Sequence, residues 1–169
     1  MKTDRILIPL DGSEMAELAV GEALQLRRSD ASTLLLLRAA EARVLPGADA
    51  IGAQIAAVQE AETYLAALKS KIEKAGPGVV ETHVWYGPPA SAIVGAARAH
   101  KADLIVMTTH GRSGVGRLVF GSVAESVLRG TTLPILLVRP GGAPIEPPLG
   151  QDQSRPAKGQ PAVRTEALR

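Results

Sequence analysis

The chain contains no cysteine, which excludes disulfides, thiolate metal ligands and cysteine nucleophiles. Aromatic residues are scarce, with one Trp, two Tyr and one Phe among 169 residues. The core must therefore be built from aliphatic side chains, and few rings are present to stack on the bases of a nucleic-acid strand. Charge of one sign is also lacking, since 19 basic residues against 17 acidic ones leave a net charge of +2. We therefore expect no nucleic-acid partner.

Long hydrophobic runs are also absent. No apolar run reaches the roughly 18 residues that a membrane-spanning helix needs. The first apolar run, Arg5 to Leu10, is too short for a signal peptide and is closed by Asp11. We therefore expect a cytoplasmic protein with no membrane partner. From Gly141 onward the chain holds five prolines and four glycines, which predicts a flexible tail over residues 141–169 after one folded domain over residues 1–140.

The hydrophobic pattern alternates between short apolar runs and segments with helical spacing. The apolar runs predict five strands, at Arg5–Leu10, Ser32–Ala40, Val79–Tyr86, Ala102–Thr109 and Ile135–Arg139. The segments between them predict four helices, at Glu14–Arg28, from about Ile51 to Ala75, Pro89–Lys101 and Ser122–Arg129. Because every strand is apolar and a helix separates each strand from the next, we expect an α/β fold. Right-handed crossovers make it an open, doubly wound, five-stranded parallel sheet with helices on both faces.

Ligands in such sheets bind at the carboxyl ends of the strands, where the winding reverses. Asp11 and Thr109, at the ends of the first and fourth strands, are therefore expected neighbours in a site. The stretch from Met107 to Val123 follows the fourth strand and is rich in glycine, arginine and hydroxyl groups. Backbone N–H groups converge at such a turn and the next helix favours negative charge, so this stretch predicts a phosphate-binding site.

Two common phosphate motifs do not match. Gly111 and Gly116 have the glycine spacing of a Walker A loop, but Arg117 and Leu118 follow where lysine and a hydroxyl are needed. The first strand is followed by LDGSEMAE, which lacks the GxGxxG of dinucleotide sites. These mismatches disfavour a P-loop NTPase and a dinucleotide-dependent dehydrogenase.

The glycines do match another pattern, because Gly111 is followed by nine residues and then by Gly121-Ser122. In this the chain resembles the nucleotide-binding branch of the universal stress protein family. The resemblance runs from Met1 to about Pro140 and includes ILIPLDGS, DLIVMTTHGRSG and LPILLVRP. It implies a universal stress protein domain over residues 1–140, with a Rossmann-like, adenine nucleotide alpha hydrolase-like form of the fold. One position departs from the pattern: Thr108 stands where the family has a glycine that lies against the ribose.

The resemblance implies a function and a set of ligand-binding residues. The ligand would be ATP, with Mg²⁺ bridging its phosphates, and the protein would be a stress-response regulator or sensor that forms a homodimer through strand Pro134–Arg139. On the adenosine side and at the end of the fourth strand, the implied residues are Pro9, Leu10, Asp11, Ala39, Met107 and Thr108. On the phosphate side, they are Gly111, Arg112, Ser113, Gly114, Gly121, Ser122 and Val123.

Simpler roles remain open for several of these residues. Either Asp11 or Ser13 could cap the first helix, and Ser122-x-x-Glu125 reads as a capping box for the last one. The glycines could serve only as turn residues. His83, His100 and His110 share no metal-like spacing, so we expect no metal site built from protein ligands.

The sequence also leaves two other functions open. No serine, histidine and carboxylate set is evident, so we expect a non-enzymatic protein with at most slow ATP hydrolysis. One alternative is a protein-interaction module of the same fold that needs no nucleotide. A less favoured one is an adenylating enzyme, for which a folded part of about 140 residues leaves little room.

Overall fold

The computed structural model describes residues 3–42, 46–47, 49–109 and 121–139. Strands and helices alternate along this part of the chain. The strands are β1 (Arg5–Pro9), β2 (Thr33–Ala40), β3 (Val79–Tyr86), β4 (Leu104–Thr108) and β5 (Ile135–Val138). The helices are α1 (Glu14–Leu26), α2 (Ala50–Ala75), α3 (Pro89–Ala99) and α4 (Ser122–Gly130). All nine predicted elements are therefore present, with ends that differ from the predicted ones by at most a few residues.

The five strands form one parallel sheet in the order β3-β2-β1-β4-β5. From β1 the chain winds outward through β2 to the edge strand β3, and then returns past β1 to β4 and β5. The winding therefore reverses between β1 and β4, which opens a crevice at their carboxyl ends. This topology confirms the predicted doubly wound α/β fold, with β3 and β5 as the two edge strands of the described sheet.

Alternating side chains on the strands feed two hydrophobic clusters, one on each face of the sheet. Along β1, Ile6 and Ile8 pack with residues of α1 and α2, whereas Leu7 packs with residues of α3 and α4. All three side chains are 0% exposed. Because each strand is covered on both faces, continuous apolar runs such as that of β2 are required, and these were the strongest strand signals in the sequence.

Helix α2 shows where periodicity overestimates burial. Its apolar stripe starts at Ile51 and Ile55, yet these side chains are 75% and 52% exposed. Burial in this 26-residue helix begins at Ala61 and continues through Ile72, so the apolar side chains of its first turns are left facing solvent. Even this longest helix is unsuited to the bilayer: no helix in the described ranges combines the length and apolarity needed to cross a membrane.

Candidate functional site

A cavity of about 360 Å³ lies at the carboxyl ends of β1 and β4, where the winding reverses. Segments from both halves of the sheet and from three helices contribute to its wall. The residues that line it are Pro9, Leu10, Asp11, Ala16, Leu37, Ala39, Pro89, Ile93, Met107, Thr108, Thr109, Gly121, Ser122, Val123 and Ala124. Asp11 and Thr109 therefore meet in one site, as the position of the strand ends predicted.

Strand pairing beyond the end of β1 brings two predicted residues together. The Leu10 amide donates to the Leu37 carbonyl at 2.8 Å, which continues the β1–β2 ladder after Pro9. Asp11 and Ala39, which follow shortly after these two residues, both line the cavity. Gln54 of α2 contacts the end of β2, because its side-chain amide donates to the Ala40 carbonyl at 3.1 Å. The position of Ala39 is therefore fixed by α2 as well as by the sheet.

The Asp11 carboxylate also organises the start of α1. Its Oδ1 accepts from the Ser13 amide at 2.9 Å and from the Ser13 hydroxyl at 2.6 Å. Ser13 is the N-cap of the helix, and its Oγ accepts from the Ala16 amide at 3.1 Å. Of the two capping candidates it is thus Ser13 that caps, and Asp11 supports the cap from within the cavity wall. Asp11 is the one ionisable side chain among the cavity residues that the structure describes.

The N-terminus of α4 opens into the same cavity without a side-chain cap. Gly121 is its N-cap and Ser122 its first helical residue, and no described side chain caps it. The capping role that the sequence left open for Ser122 is not observed, because Gly121 occupies the N-cap and Ser122 is already inside the helix. By helix geometry the amides of Ser122, Val123 and Ala124 have no intrahelical acceptor, and the helix dipole adds partial positive charge at this point. This end of the cavity is suited to an anion.

The sequence placed Gly121 among the phosphate contacts, but its amide has a different partner in the structure. Its amide donates to the Thr109 carbonyl at 2.9 Å, so that amide is not directed to a ligand. The bond joins the two ends of the segment 110–120 at the cavity. Gly111, Arg112, Ser113 and Gly114, the other predicted phosphate contacts, lie outside the described residues, and so does His110.

Most of the predicted site residues converge on the cavity. Nine of the thirteen line it, and the other four are those outside the described part of the chain. Sequence reasoning missed Ala16, Leu37, Pro89, Ile93 and Ala124, which are apolar and carry no motif. Their signal was positional, because each lies on an element next to the carboxyl ends of β1, β2 or β4. Thr108, at the position of the family glycine, is 8% exposed and places its side chain in the wall.

Comparison with known proteins gives the family. The sequence profile of the Universal stress protein family matches residues 2–139. A relative from Staphylococcus aureus (strain USA300) that carries the family's name is 32% identical over 168 residues, which is 97% of this chain and 93% of the relative.

Solved structures agree in fold. The structure of the protein MJ0577 superposes with a TM-score of 0.74 at 26% identity, covering 83% of this chain and 98% of the other. A universal stress protein in complex with cAMP superposes with a TM-score of 0.61 at 24% identity, covering 79% of this chain and 95% of the other. The family profile, the curated relative and the shared fold give one conclusion: the chain belongs to the universal stress protein family.

Proposed function

We propose that this protein binds ATP, with Mg²⁺ bridging the phosphates, in the cavity at the carboxyl ends of β1 and β4. The observation that carries the proposal is the uncapped N-terminus of α4, which opens into a cavity also lined by Asp11 and Ala39. The protein would act as a cytoplasmic stress-response regulator or sensor whose state depends on the bound nucleotide.

The two ends of the cavity differ in the way that a nucleotide requires. One wall combines the apolar side chains of Leu10, Leu37 and Ile93 with the end of β2 at Ala39, which suits a base. The other wall presents the first-turn amides of α4, which suit phosphate oxygens. The volume of about 360 Å³ falls in the range of about 300–1,000 Å³ that is typical of small-molecule sites. The cAMP complex of a protein with the same fold supports an adenine nucleotide as the ligand.

The side chains that line the cavity favour a regulatory role for the bound nucleotide over its catalytic hydrolysis. Among the described lining residues, Asp11 is the one ionisable group, and its Oδ1 is already held by two hydrogen bonds from Ser13. Activating water for attack on a phosphate needs a base that is aligned with the reacting atoms. We therefore expect at most slow hydrolysis of bound ATP.

Gly121→Val tests the phosphate side. The backbone at Gly121 has φ −55° and ψ 143°, values open to any residue, so valine should not strain the fold. Its side chain would cover the amides of Ser122 and Val123. Two hydrogen bonds to a charged ligand, at about 1.5 kcal/mol each, correspond to a roughly hundredfold loss of affinity. Isothermal titration calorimetry with Mg-ATP measures this loss.

Gly21→Val is the matched control. Gly21 lies in α1, away from the cavity lining, and a Cβ built there meets nothing within 4 Å. This variant should bind ATP like the unaltered protein. Equal affinity of all three proteins would show that the phosphates do not sit on α4. Absence of heat from the unaltered protein at millimolar ATP, with folding confirmed by circular dichroism, would instead favour the nucleotide-independent interaction module.

We propose also that the protein is a homodimer joined through strand Pro134–Arg139. In the described part of the chain, β5 pairs with β4 on one side and no strand covers its other edge. Leu136, in the middle of this strand, is 36% exposed. An exposed apolar edge strand has to be covered or paired, and an identical strand from a second copy would do both.

A further inference from the structure

Three side chains that are distant in sequence meet beside the edge strand β3. Glu81 and His83 lie two residues apart on β3 and so point to the same face, towards α3. His100 is the C-cap residue of α3 and lies against them. The imidazole rings of His83 and His100 have centroids 3.8 Å apart with an interplanar angle of 31°. Tertiary packing thus joins two histidines whose spacing in the sequence carries no metal motif.

We propose that Glu81, His83 and His100 form a binding site for a divalent transition-metal ion, with zinc as the best-fitting ion. One ligand atom from each residue lies within 4.8 Å of the other two. The Nε2 atom of His83 and the Oε2 atom of Glu81 are 3.4 Å apart. Ligand atoms around one tetrahedral zinc ion are separated by about 3.3 Å, given bonds of about 2.0–2.1 Å. Changes of at most about 1.5 Å in these separations, which side-chain rotation can supply, would thus bring the three atoms to zinc distance.

The donor set favours zinc over magnesium or calcium. Two imidazole nitrogens and one carboxylate oxygen suit a borderline ion, whereas magnesium and calcium prefer oxygen ligands throughout. Burial lowers the pKa of the His100 imidazole, and the neighbouring His83 lowers it further. Imidazole coordinates metal in its neutral form. All three side chains are partly exposed, so an ion can reach them and a water can complete the tetrahedron.

Arg5 is the group that opposes a cation here. Its guanidinium donates to Oε2 of Glu81 at 3.3 Å and to the backbone carbonyl of His100 at 2.8 Å. The arginine and glutamate side chains are 34% and 38% exposed, so their ion pair is weakened by solvent. A doubly charged ion that gains two further nitrogen ligands can displace it. Removing the arginine charge should therefore strengthen zinc binding.

This site is separate from the proposed nucleotide site. The cavity includes Pro89 and Ile93 from the first half of α3, whereas His100 follows the last residue of this 11-residue helix. Ile93 and His100 are seven residues apart along α3, which corresponds to about 10 Å of helix. Zinc would tie the edge strand β3 to the end of α3 and should therefore stabilise the fold by mass action.

The test is calorimetric titration of the untagged full chain with zinc chloride near neutral pH. We expect one zinc per chain, and a loss of affinity of at least about tenfold in His83→Ala and in His100→Ala, since each removes one of three ligands. His100→Ala keeps the backbone carbonyl that Arg5 contacts, so its fold should persist, as circular dichroism can check. At the same zinc concentration, zinc should raise the melting temperature of the unaltered protein more than that of either variant.

Three further variants sharpen the result. Arg5→Gln should bind zinc more tightly than the unaltered protein. His110→Ala removes the remaining histidine and should bind zinc unchanged, as should Glu73→Gln, which breaks another exposed ion pair, with Lys69. Zinc binding should also survive an excess of magnesium. No zinc-dependent heat, or equal affinity of the unaltered, His83→Ala and His100→Ala proteins, would overturn the proposal, and so would dependence on His110.

Discussion

Replacing Asp11 with alanine removes an oxygen that accepts two hydrogen bonds from Ser13, at 2.6 and 2.9 Å, and that also belongs to the cavity wall. A structural role and a ligand-binding role are thus combined in one carboxylate. Ser13 offers the means to separate them, because it takes part in the capping interaction but does not line the cavity. Comparing Asp11→Ala with Ser13→Ala therefore distinguishes the two roles.

The two substitutions should have similar effects on stability. Ser13→Ala removes the cap to the Ala16 amide, worth about 1 kcal/mol, and the hydroxyl bond to Asp11. Asp11→Ala removes the same hydroxyl bond and the bond from the Ser13 amide, each worth about 1 kcal/mol at a partly buried site. Each single variant should thus lose about 2 kcal/mol of unfolding free energy. Because they share one interaction, the double variant should lose about 1 kcal/mol less than the sum.

Their effects on ATP binding should differ. If Asp11 contacts the nucleoside, Asp11→Ala loses a hydrogen bond to a charged acceptor, about 1.5–3 kcal/mol, which weakens binding roughly ten- to hundredfold. Ser13→Ala leaves the carboxylate in place and should change the affinity by less than about threefold. Urea unfolding followed by circular dichroism measures stability, and isothermal titration calorimetry measures affinity. Equal weakening by the two variants would refute the reasoning, because it would show that Asp11 acts only through the helix start.

Three other substitutions test the dimer, the core and the departure from the family pattern. Leu136→Asp places a charge on the exposed edge of β5, and light scattering should then report a monomer instead of a dimer; an unchanged mass would place the interface elsewhere. Ile105→Ala empties a site that is 0% exposed between β1 and β5, so it should cost about 3–4 kcal/mol and lower the urea midpoint without changing the m-value. Thr108→Gly restores the family residue, and it should tighten ATP binding severalfold while costing about 1 kcal/mol of stability; weaker binding would mean that the threonine contacts the ligand.

The strands show why much of the fold was predictable. Leu34 to Leu37 form a run with no polar position, which only a strand covered on both faces can accommodate, and all four are at most 1% exposed. The stop at Gly76 and the start at Pro89 were likewise read correctly, since Gly76 is the C-cap of α2 and Pro89 the first residue of α3. These are local properties of the backbone, and neighbouring residues suffice to determine them.

Prediction failed where the outcome depended on packing. The periodicity of α2 includes Ile51 and Ile55, yet both side chains remain exposed, because tertiary packing decides how much of an apolar stripe is covered. Ser122 carries a capping-box pattern, yet it is the first helical residue, and Gly121, whose amide bonds to the Thr109 carbonyl, is the N-cap. A pattern indicates that a cap is possible, whereas the tertiary contacts determine which residue occupies it.

The sequence by itself determined the strands and the helices, because apolar periodicity and backbone stereochemistry act over a few residues. The alternation of these elements then determined a doubly wound parallel sheet and the edge of that sheet where a ligand would lie. Tertiary structure alone decided which side chains meet. It placed the Asp11 carboxylate on the Ser13 cap and left the start of α4 uncapped at the cavity. It also brought the rings of His83 and His100 into contact, although they lie 17 positions apart in the chain. Such contacts depend on how elements that are distant in sequence pack together, and the spacing of residues along the chain does not reveal that packing.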